Sequence, residues 1–166
     1  IDLTGDGSVD LLVGASNFRD GRGEVGRVYL VNGAYALSRL GGAGPIIDAG
    51  SAATLAVDGS SPGERFGFSL AVTTLPGGGA AAVVGGIYGV ASGVIDTGGV
   101  AVYETNAMGF ARQPRLRVSG ESAGESLLGY SVSARRAGPR AFLAVGAPFG
   151  STAATDDGAS YALVLQ

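Results

Sequence analysis

The chain has 166 residues and a formal net charge of −3 at pH 7, and its sequence contains neither cysteine nor histidine. Without cysteine it has no disulfides, thiol nucleophiles or zinc-thiolate sites, and without histidine it lacks the commonest general base. Every cation is an arginine, and the arginines form no basic stripe of the kind that neutralises nucleic-acid phosphates. These absences remove most catalytic chemistries and argue against nucleic acid as a partner.

Glycine contributes 31 residues. Such a composition is typical of an all-β protein with many short strands and tight turns. No apolar run approaches the roughly 18 residues that a membrane span requires, so we expect none in this segment. Because the first residue is Ile1 and not Met, we expect the numbering to begin inside a longer polypeptide.

The first predicted element is a loop at residues 2–10, with the sequence Asp-Leu-Thr-Gly-Asp-Gly-Ser-Val-Asp. Oxygen-bearing side chains stand at loop positions one, three, five and nine. This spacing allows a curled loop to direct hard oxygen ligands at one calcium ion (Ca²⁺). Glycine at position six tolerates the tight turn. The alternative is an Asp-Gly hairpin with solvated acids. The predicted ligands are Asp2, Thr4, Asp6, Asp10 and the backbone carbonyl of Ser8.

The residues after this loop distinguish it from a helix-loop-helix calcium hand. That motif needs an acidic ligand at position twelve. Val13 stands there, inside an apolar stretch. The loop is therefore predicted to lead into a strand.

One pattern then recurs three times along the chain. Its centre is an apolar tetrapeptide with glycine at its third position, at Gly14, Gly85 and Gly146. A second glycine opens an alternating stretch downstream of each centre, and the segments at residues 66–71 and 128–133 match each other upstream of the second and third. A repeat of about 60 to 70 residues with four short strands is the make-up of a propeller blade.

The predicted fold is a β-propeller fragment of about three four-stranded antiparallel blades in an incomplete ring. Three blades are too few for the usual ring of about four to eight. The blades are predicted at residues 1–58, without the first strand, at 59–120, and at 121–166, without the last strand. Residues 34–53 contain Tyr35, Leu37 and Leu40 at near-helical spacing, which is compatible with one helical turn, but the segment is predicted to be a loop. The predicted strands are residues 9–15, 27–31, 54–57, 68–74, 80–87, 100–104, 116–119, 130–134, 141–146 and 160–165.

The aspartate loop joined to Leu-Val-Gly-Ala, with Phe66-Gly67 and Gly146-Ala147-Pro148 further on, closely resembles the FG-GAP repeats of integrin α-type propellers. The resemblance implies a calcium ion bound by the loop and a propeller surface used for adhesion. It assigns the same ligands, Asp2, Thr4, Asp6, Ser8 and Asp10, although the family usually has Asp or Asn where Thr4 stands. The other two repeats carry no comparable acidic loop, so we predict one calcium site.

Three smaller features of the sequence each allow more than one interpretation. Arg135, Arg136 and Arg140 cluster at the place of the calcium loop in the third repeat, either as a solvated hairpin or as a contact for an acidic partner. Residues 57–65 and 120–126 are predicted to be linkers between blades. Three aromatic residues fall at one offset after the central glycines, where we expect packing between blades or, alternatively, sugar binding: Phe18, Tyr88 and Phe149.

The expected function is a calcium-stabilised extracellular or cell-surface module for binding, adhesion or structure, without catalysis of its own. Its expected partner is a protein or the remainder of the same propeller, with a glycan as an alternative. The other hypotheses are the non-catalytic propeller of a larger enzyme, as in phospholipase D-like proteins of this family, and a propeller lectin. Because the broken blade count leaves strand edges unpaired, we also expect that the segment is not a stable monomer.

Overall fold

Strands make up most of the computed structural model, which describes residues 1–40, 47–88, 90–91, 94–95, 97–106, 109–120, 127–150 and 158–165. Two short helices interrupt them. In chain order the elements are β1 (Leu11–Ala15), β2 (Arg19–Asp20), β3 (Gly23–Glu24), β4 (Arg27–Val31), α1 (Gly33–Leu40), α2 (Ala49–Ala52), β5 (Ala53–Asp58), β6 (Phe66–Thr74), β7 (Ala80–Gly86), β8 (Val90–Ala91), β9 (Val94–Ile95), β10 (Gly99–Asn106), β11 (Gly109–Phe110), β12 (Leu116–Ser119), β13 (Ser131–Ala137), β14 (Arg140–Ala147) and β15 (Ala159–Leu165).

The strands form three main antiparallel sheets that follow one another along the chain. The first has the order β1-β4-β5, the second runs β6-β7-β10 with both β11 and β12 on the far edge of β10, and the third has the order β13-β14-β15. The short pairs β2-β3 and β8-β9 form separate hairpins. The predicted all-β fold, an incomplete propeller of about three blades, is confirmed, and the exact blade boundaries stay a prediction.

Several strand boundaries differ from the sequence prediction by one to three residues. Two of these differences have a clear local cause. Strand β1 begins at Leu11 and not at residue 9, because the Asp10 amide donates to the Ile1 carbonyl at 3.0 Å and so belongs to the preceding loop. Strand β6 begins at Phe66 and not at residue 68, because a bulge between Phe66 and Ser69 lets the strand continue through Gly67.

The predicted loop at residues 34–53 was wrong, because the chain forms two helices there. Asn32 caps α1, since its Oδ1 accepts a hydrogen bond from the Tyr35 amide at 2.9 Å. Asp48 caps α2 in the same way through the Gly50 amide at 3.0 Å. Buried Ala36 fixes the inner side of α1. Residues 41–46 of the predicted loop lie outside the described residues.

Glycine pairs explain why the first two repeat centres, Gly14 and Gly85, are glycine. A Cβ atom on Gly14 would overlap the Gly67 carbonyl, and a Cβ on Gly85 would overlap the Gly129 carbonyl. The partner glycines Gly67 and Gly129 have φ of 87° and 89°, which L side chains rarely adopt. Each pair lies where one sheet meets the next, so these glycines set how closely successive sheets approach.

The core lies between the sheets. One apolar cluster joins the second and third sheets and includes Val83, Val102, Leu143 and Val145. Two smaller clusters join the first and second sheets. All seven residues of β7 are buried because sheets cover both of its faces, as its unbroken apolar sequence requires.

Candidate functional site

The candidate site is the acidic loop at residues 1–10, which leads directly into β1. Its two ends are joined by the hydrogen bond from the Asp10 amide to the Ile1 carbonyl. Leu3 is only 1% exposed and packs in a cluster with Leu30 and Ala80, at the border of the first and second sheets. The loop is therefore anchored on the protein core and holds its polar side chains toward its own backbone.

Asp10 is the buried acid of the loop, with 7% exposure. Its Oδ2 accepts hydrogen bonds from the amides of Leu3 at 2.7 Å and Thr4 at 2.8 Å, while its Oδ1 accepts from the Gly33 amide at 2.9 Å. Gly33 is the first residue of α1, where free amides and the helix dipole favour a negative charge. Asp10 thus fastens the loop to the start of α1.

Asp2 and Asp6 lie nearer to solvent and also accept from loop amides. The Oδ1 atom of Asp2 accepts hydrogen bonds from the amides of Thr4 at 3.1 Å and Gly5 at 2.6 Å, and its Oδ2 atom accepts one from the amide of Gly7 at 2.8 Å. The Gly7 amide and then the Gly5 amide hold the pKa of Asp2 below its ordinary value, although desolvation and the neighbouring Asp6 carboxylate act to raise it. The pKa of Asp6 is lowered mainly by the Ser8 amide, at 2.8 Å, and then by the Asn32 side chain. Both acids are therefore ionised at neutral pH and repel each other.

The two hydroxyl residues of the predicted ligand set behave differently. The Thr4 Oγ1 atom is buried without a hydrogen bond of regular geometry, although the hydroxyl contributes weakly to lowering the pKa of Asp6. A buried hydroxyl without a partner is costly and calls for an explanation. Ser8 supplies its amide to Asp6, and its carbonyl oxygen stays the predicted ligand.

We tested whether these residues fit a calcium ion. The described residues include no ready-made cluster of three acidic side chains at metal-binding distances, because the carboxylates turn toward loop amides. A carboxylate offers about four lone pairs. Asp2 and Asp10 each accept three hydrogen bonds, from loop amides and, for Asp10, also from the first amide of α1. Asp6 accepts two. The all-oxygen donor set, the remaining lone pairs and the unpartnered Thr4 hydroxyl fit calcium.

Sequence reasoning missed Asn32 as a member of this site. Its side-chain amide donates to Asp6 Oδ2 while its Oδ1 caps α1, so one residue joins the loop and the helix. The available signal was Asn32 directly before the segment at residues 33–40, because asparagine is a preferred N-cap residue.

The equivalent turns of the other sheets carry no acidic loop in the described residues. The turn between β6 and β7 is built from three consecutive glycines. A tight turn at residues 138–139 joins β13 and β14, and the arginines at the adjoining strand ends, Arg135, Arg136 and Arg140, are all exposed. Arg136 Nε donates to the Gly138 carbonyl at 3.2 Å.

The linker before β6 is closed by a buried acid. Glu64 accepts from the Ser60 hydroxyl at 2.8 Å and the Ser61 amide at 3.1 Å, and it pairs with Arg117 of β12 at 2.8 Å. The bonds with Ser60 and Ser61 close the linker on itself, and the pair with Arg117 joins it to the second sheet, which suits the predicted linker role. In the second predicted linker, residues 121–126 lie outside the described residues.

The three aromatic residues singled out in the sequence each lie two or three residues after the second strand of their repeat. Phe18 is covered by the Arg27 guanidinium, 3.6 Å from its ring centre, and Tyr88 has Arg65 at 5.3 Å. Phe149 is 47% exposed. An arginine therefore lies over one ring face at each of the first two positions, where it would compete with a stacked sugar.

Comparison with known families assigns the N-terminal part of the chain. Residues 1–31, which contain the acidic loop, β1 and β4, match the FG-GAP repeat model. A search among curated proteins gives no significant match. None of the described helices has the length and apolarity to cross a bilayer.

Proposed function

We propose that this chain, which begins with an FG-GAP repeat, is a calcium-stabilised extracellular module for binding, adhesion or structure. Two observations support the calcium role. The Thr4 hydroxyl is buried without a hydrogen bond of regular geometry, and it lies beside Asp6, which is ionised together with the nearby Asp2. A divalent cation would give the hydroxyl a partner and offset the repulsion between the carboxylates.

The proposed ligands are Asp2, Thr4, Asp6, Asp10 and the carbonyl oxygen of Ser8. The bound ion supplies positive charge, and the protein supplies an anchored loop. Leu3 ties that loop to the core, and Asp10 ties it to α1, so an ordered loop fixes the entry of β1 into the first sheet. We propose this structural role rather than catalysis.

The extracellular setting rests on the FG-GAP repeat at residues 1–31, a repeat common in extracellular proteins. The proposed partner is a protein or the rest of the same propeller. The alternative of a propeller attached to a larger enzyme would be favoured by metal-binding or nucleophilic residues outside this sequence. The sugar-binding alternative is not supported, because Arg27 covers the ring of Phe18.

The calcium role is tested by thermal melts with calcium and with chelator. At about 100 times its dissociation constant, calcium adds about 2.7 kcal/mol. For a chain of this size that raises the melting temperature by about 5 to 10 °C. We expect Asp6→Ala to lose most of this rise, and magnesium to produce much less of it, because magnesium dehydrates reluctantly.

Asp20→Ala is the matched control, because Asp20 pairs with Arg22 at 2.7 Å in the β2-β3 hairpin and belongs to no proposed metal site. This variant should keep the full calcium response. Equal melting temperatures of the unmodified chain in calcium and in chelator would refute the proposal.

A further inference from the structure

Helix α1 begins directly against the acidic loop. The Gly33 amide at its first residue donates to Asp10 Oδ1 at 2.9 Å, and the Asn32 side-chain amide donates to Asp6 Oδ2. The Oδ1 atom of Asn32 accepts from the Tyr35 amide at 2.9 Å and so caps the helix. Two acids of the proposed calcium site are therefore joined to the first turn of α1 by two consecutive residues.

Asn32 uses both ends of one planar amide group for these contacts. Its nitrogen holds Asp6, while its oxygen holds the first turn of α1. A displacement of the Asp6 carboxylate that moves this nitrogen therefore also moves the capping oxygen. Asp6 accepts two hydrogen bonds and a carboxylate offers about four lone pairs, so Asp6 can bind an ion without losing its bond to Asn32.

Helix α1 depends on such contacts because it is short. Its eight residues are fewer than the roughly 12 to 15 that an isolated helix needs in water. Tyr35 and Leu37 are 40% and 67% exposed, whereas buried Ala36 contributes little apolar area. The bonds to Asp6 and Asp10 thus supply an important part of what holds the helix in place.

We propose that calcium binding and the formation of α1 are coupled, with Asn32 as the positioning residue between them. This coupling rests on the calcium role proposed above. Without a cation, the ionised carboxylates of Asp2 and Asp6 repel each other. The repulsion disfavours the loop arrangement in which Asp6 and Asp10 both contact the start of α1. A ligand that stabilises this arrangement therefore stabilises the capped helix with it.

Coupling between calcium binding and α1 acts in both directions. Because the two free energies are linked, a formed α1 raises the calcium affinity of the loop by the same factor by which calcium favours α1. A substitution that weakens α1 without touching the loop should therefore weaken calcium binding. This consequence distinguishes a coupled helix from one that is merely adjacent to the site.

Leu37 provides the first test, because it is exposed on α1 and does not belong to the proposed ligands. Leu37→Gly weakens the helix, whereas Leu37→Ala, the matched control, keeps a strong helix former. In calorimetric titration with calcium, the dissociation constant of Leu37→Gly should be about two- to fivefold higher than that of Leu37→Ala. Circular dichroism checks that both variants are folded.

Hydrogen exchange measures the response of α1 itself. In the unmodified chain, calcium should slow exchange of the Tyr35 and Ala36 amides at least about tenfold relative to chelator, and should slow exchange in β14 of the third sheet by less. Asn32→Ser keeps a capping oxygen but removes the donor to Asp6. This variant should lose about half or more of the calcium effect on the α1 amides, on a logarithmic scale.

The outcomes separate the coupling from the calcium role. If calcium raised the melting temperature while Leu37→Gly and Leu37→Ala bound it equally and the α1 amides exchanged at one rate, the coupling would be overturned and the calcium role would stand. A full calcium effect in Asn32→Ser would overturn the role of Asn32. If the unmodified chain bound no calcium, both proposals would fail.

Discussion

At the scale of single residues, the glycine pairs between sheets make a testable distinction. Gly67 and Gly77 have nearly the same φ, 87° and 84°. A Cβ on Gly67 would lie 2.9 Å from the Arg27 carbonyl oxygen, whereas a Cβ on Gly77 would meet nothing within 4 Å. Alanine substitutions at the two positions thus distinguish the cost of backbone strain from the cost of crowding between sheets.

We predict that Gly77→Ala lowers the free energy of unfolding by about 1 to 2 kcal/mol, which is the cost of the left-handed backbone. Gly67→Ala should cost about 1 to 3 kcal/mol more, because the added methyl group has no room. Urea unfolding of both variants at one protein concentration measures the difference. Equal losses would contradict the packing role of Gly67.

Tyr103 gives a prediction for alkaline pH. Burial raises the pKa of its phenol, which is 2% exposed and lies between Phe66 and Phe110. A raised folded-state pKa means that this contribution to stability is complete below the ordinary value of about 10 and is lost as the pH rises through the folded value.

We therefore expect the free energy of unfolding to fall above pH 10, and to fall less steeply in Tyr103→Phe. Urea unfolding at pH 8, 10 and 11 measures this slope. Tyr35→Phe is the control, because Tyr35 is 40% exposed on α1 and should leave the slope unchanged. If Tyr103→Phe had the same slope as the unmodified chain, Tyr103 would not be the group responsible.

At the scale of elements, one hydrogen bond joins β6 to the start of the third sheet. Ser69→Ala removes the bond to the Gly129 carbonyl and leaves that oxygen half-buried, so we predict a loss of about 0.5 to 1.5 kcal/mol. Ser131→Ala, at the equivalent exposed position, should change stability by less than about 0.5 kcal/mol. Thermal melts of the two variants at matched concentration would contradict this if the losses were equal.

The elements also indicate how far sequence reasoning reaches. The recurring glycines predicted the sheets, because Gly14 and Gly85 are required wherever two sheets meet. Helix α1 was predicted as a loop although its apolar residues have near-helical spacing, because its eight residues are too few for a sustained apolar period and its cap, Asn32, lies directly after β4. The acids of the loop were found from their spacing. The hydrogen bond from the Gly33 amide to Asp10 was not predicted, since it depends on where helix α1 begins.

At the scale of the whole molecule, the amides of a strand should be better protected from hydrogen exchange when both faces of that strand are covered. Strands β7 and β14 are both the middle strands of their pairings, with neighbours on both sides. Both faces of β7 are covered, whereas alternate residues of β14 are exposed. We predict that amides of β7 exchange with solvent at least about tenfold more slowly than those of β14. Hydrogen exchange followed by mass spectrometry measures this, and equal protection would contradict it.

The two helices between β4 and β5 bear on how such a repeat can change its length. Residues 32–52 connect the third and fourth strands of the first repeat, and the shorter stretch 107–115 makes the same connection in the second. Nevertheless β4-β5 and β10-β12 pair antiparallel with similar registers. Additional sequence at this outer corner therefore leaves the sheet intact, whereas an added residue at the glycine contacts would separate two sheets. For protein engineering, this corner is where a foreign peptide could be displayed, and for evolution it is where one repeat can acquire a feature that its neighbours lack.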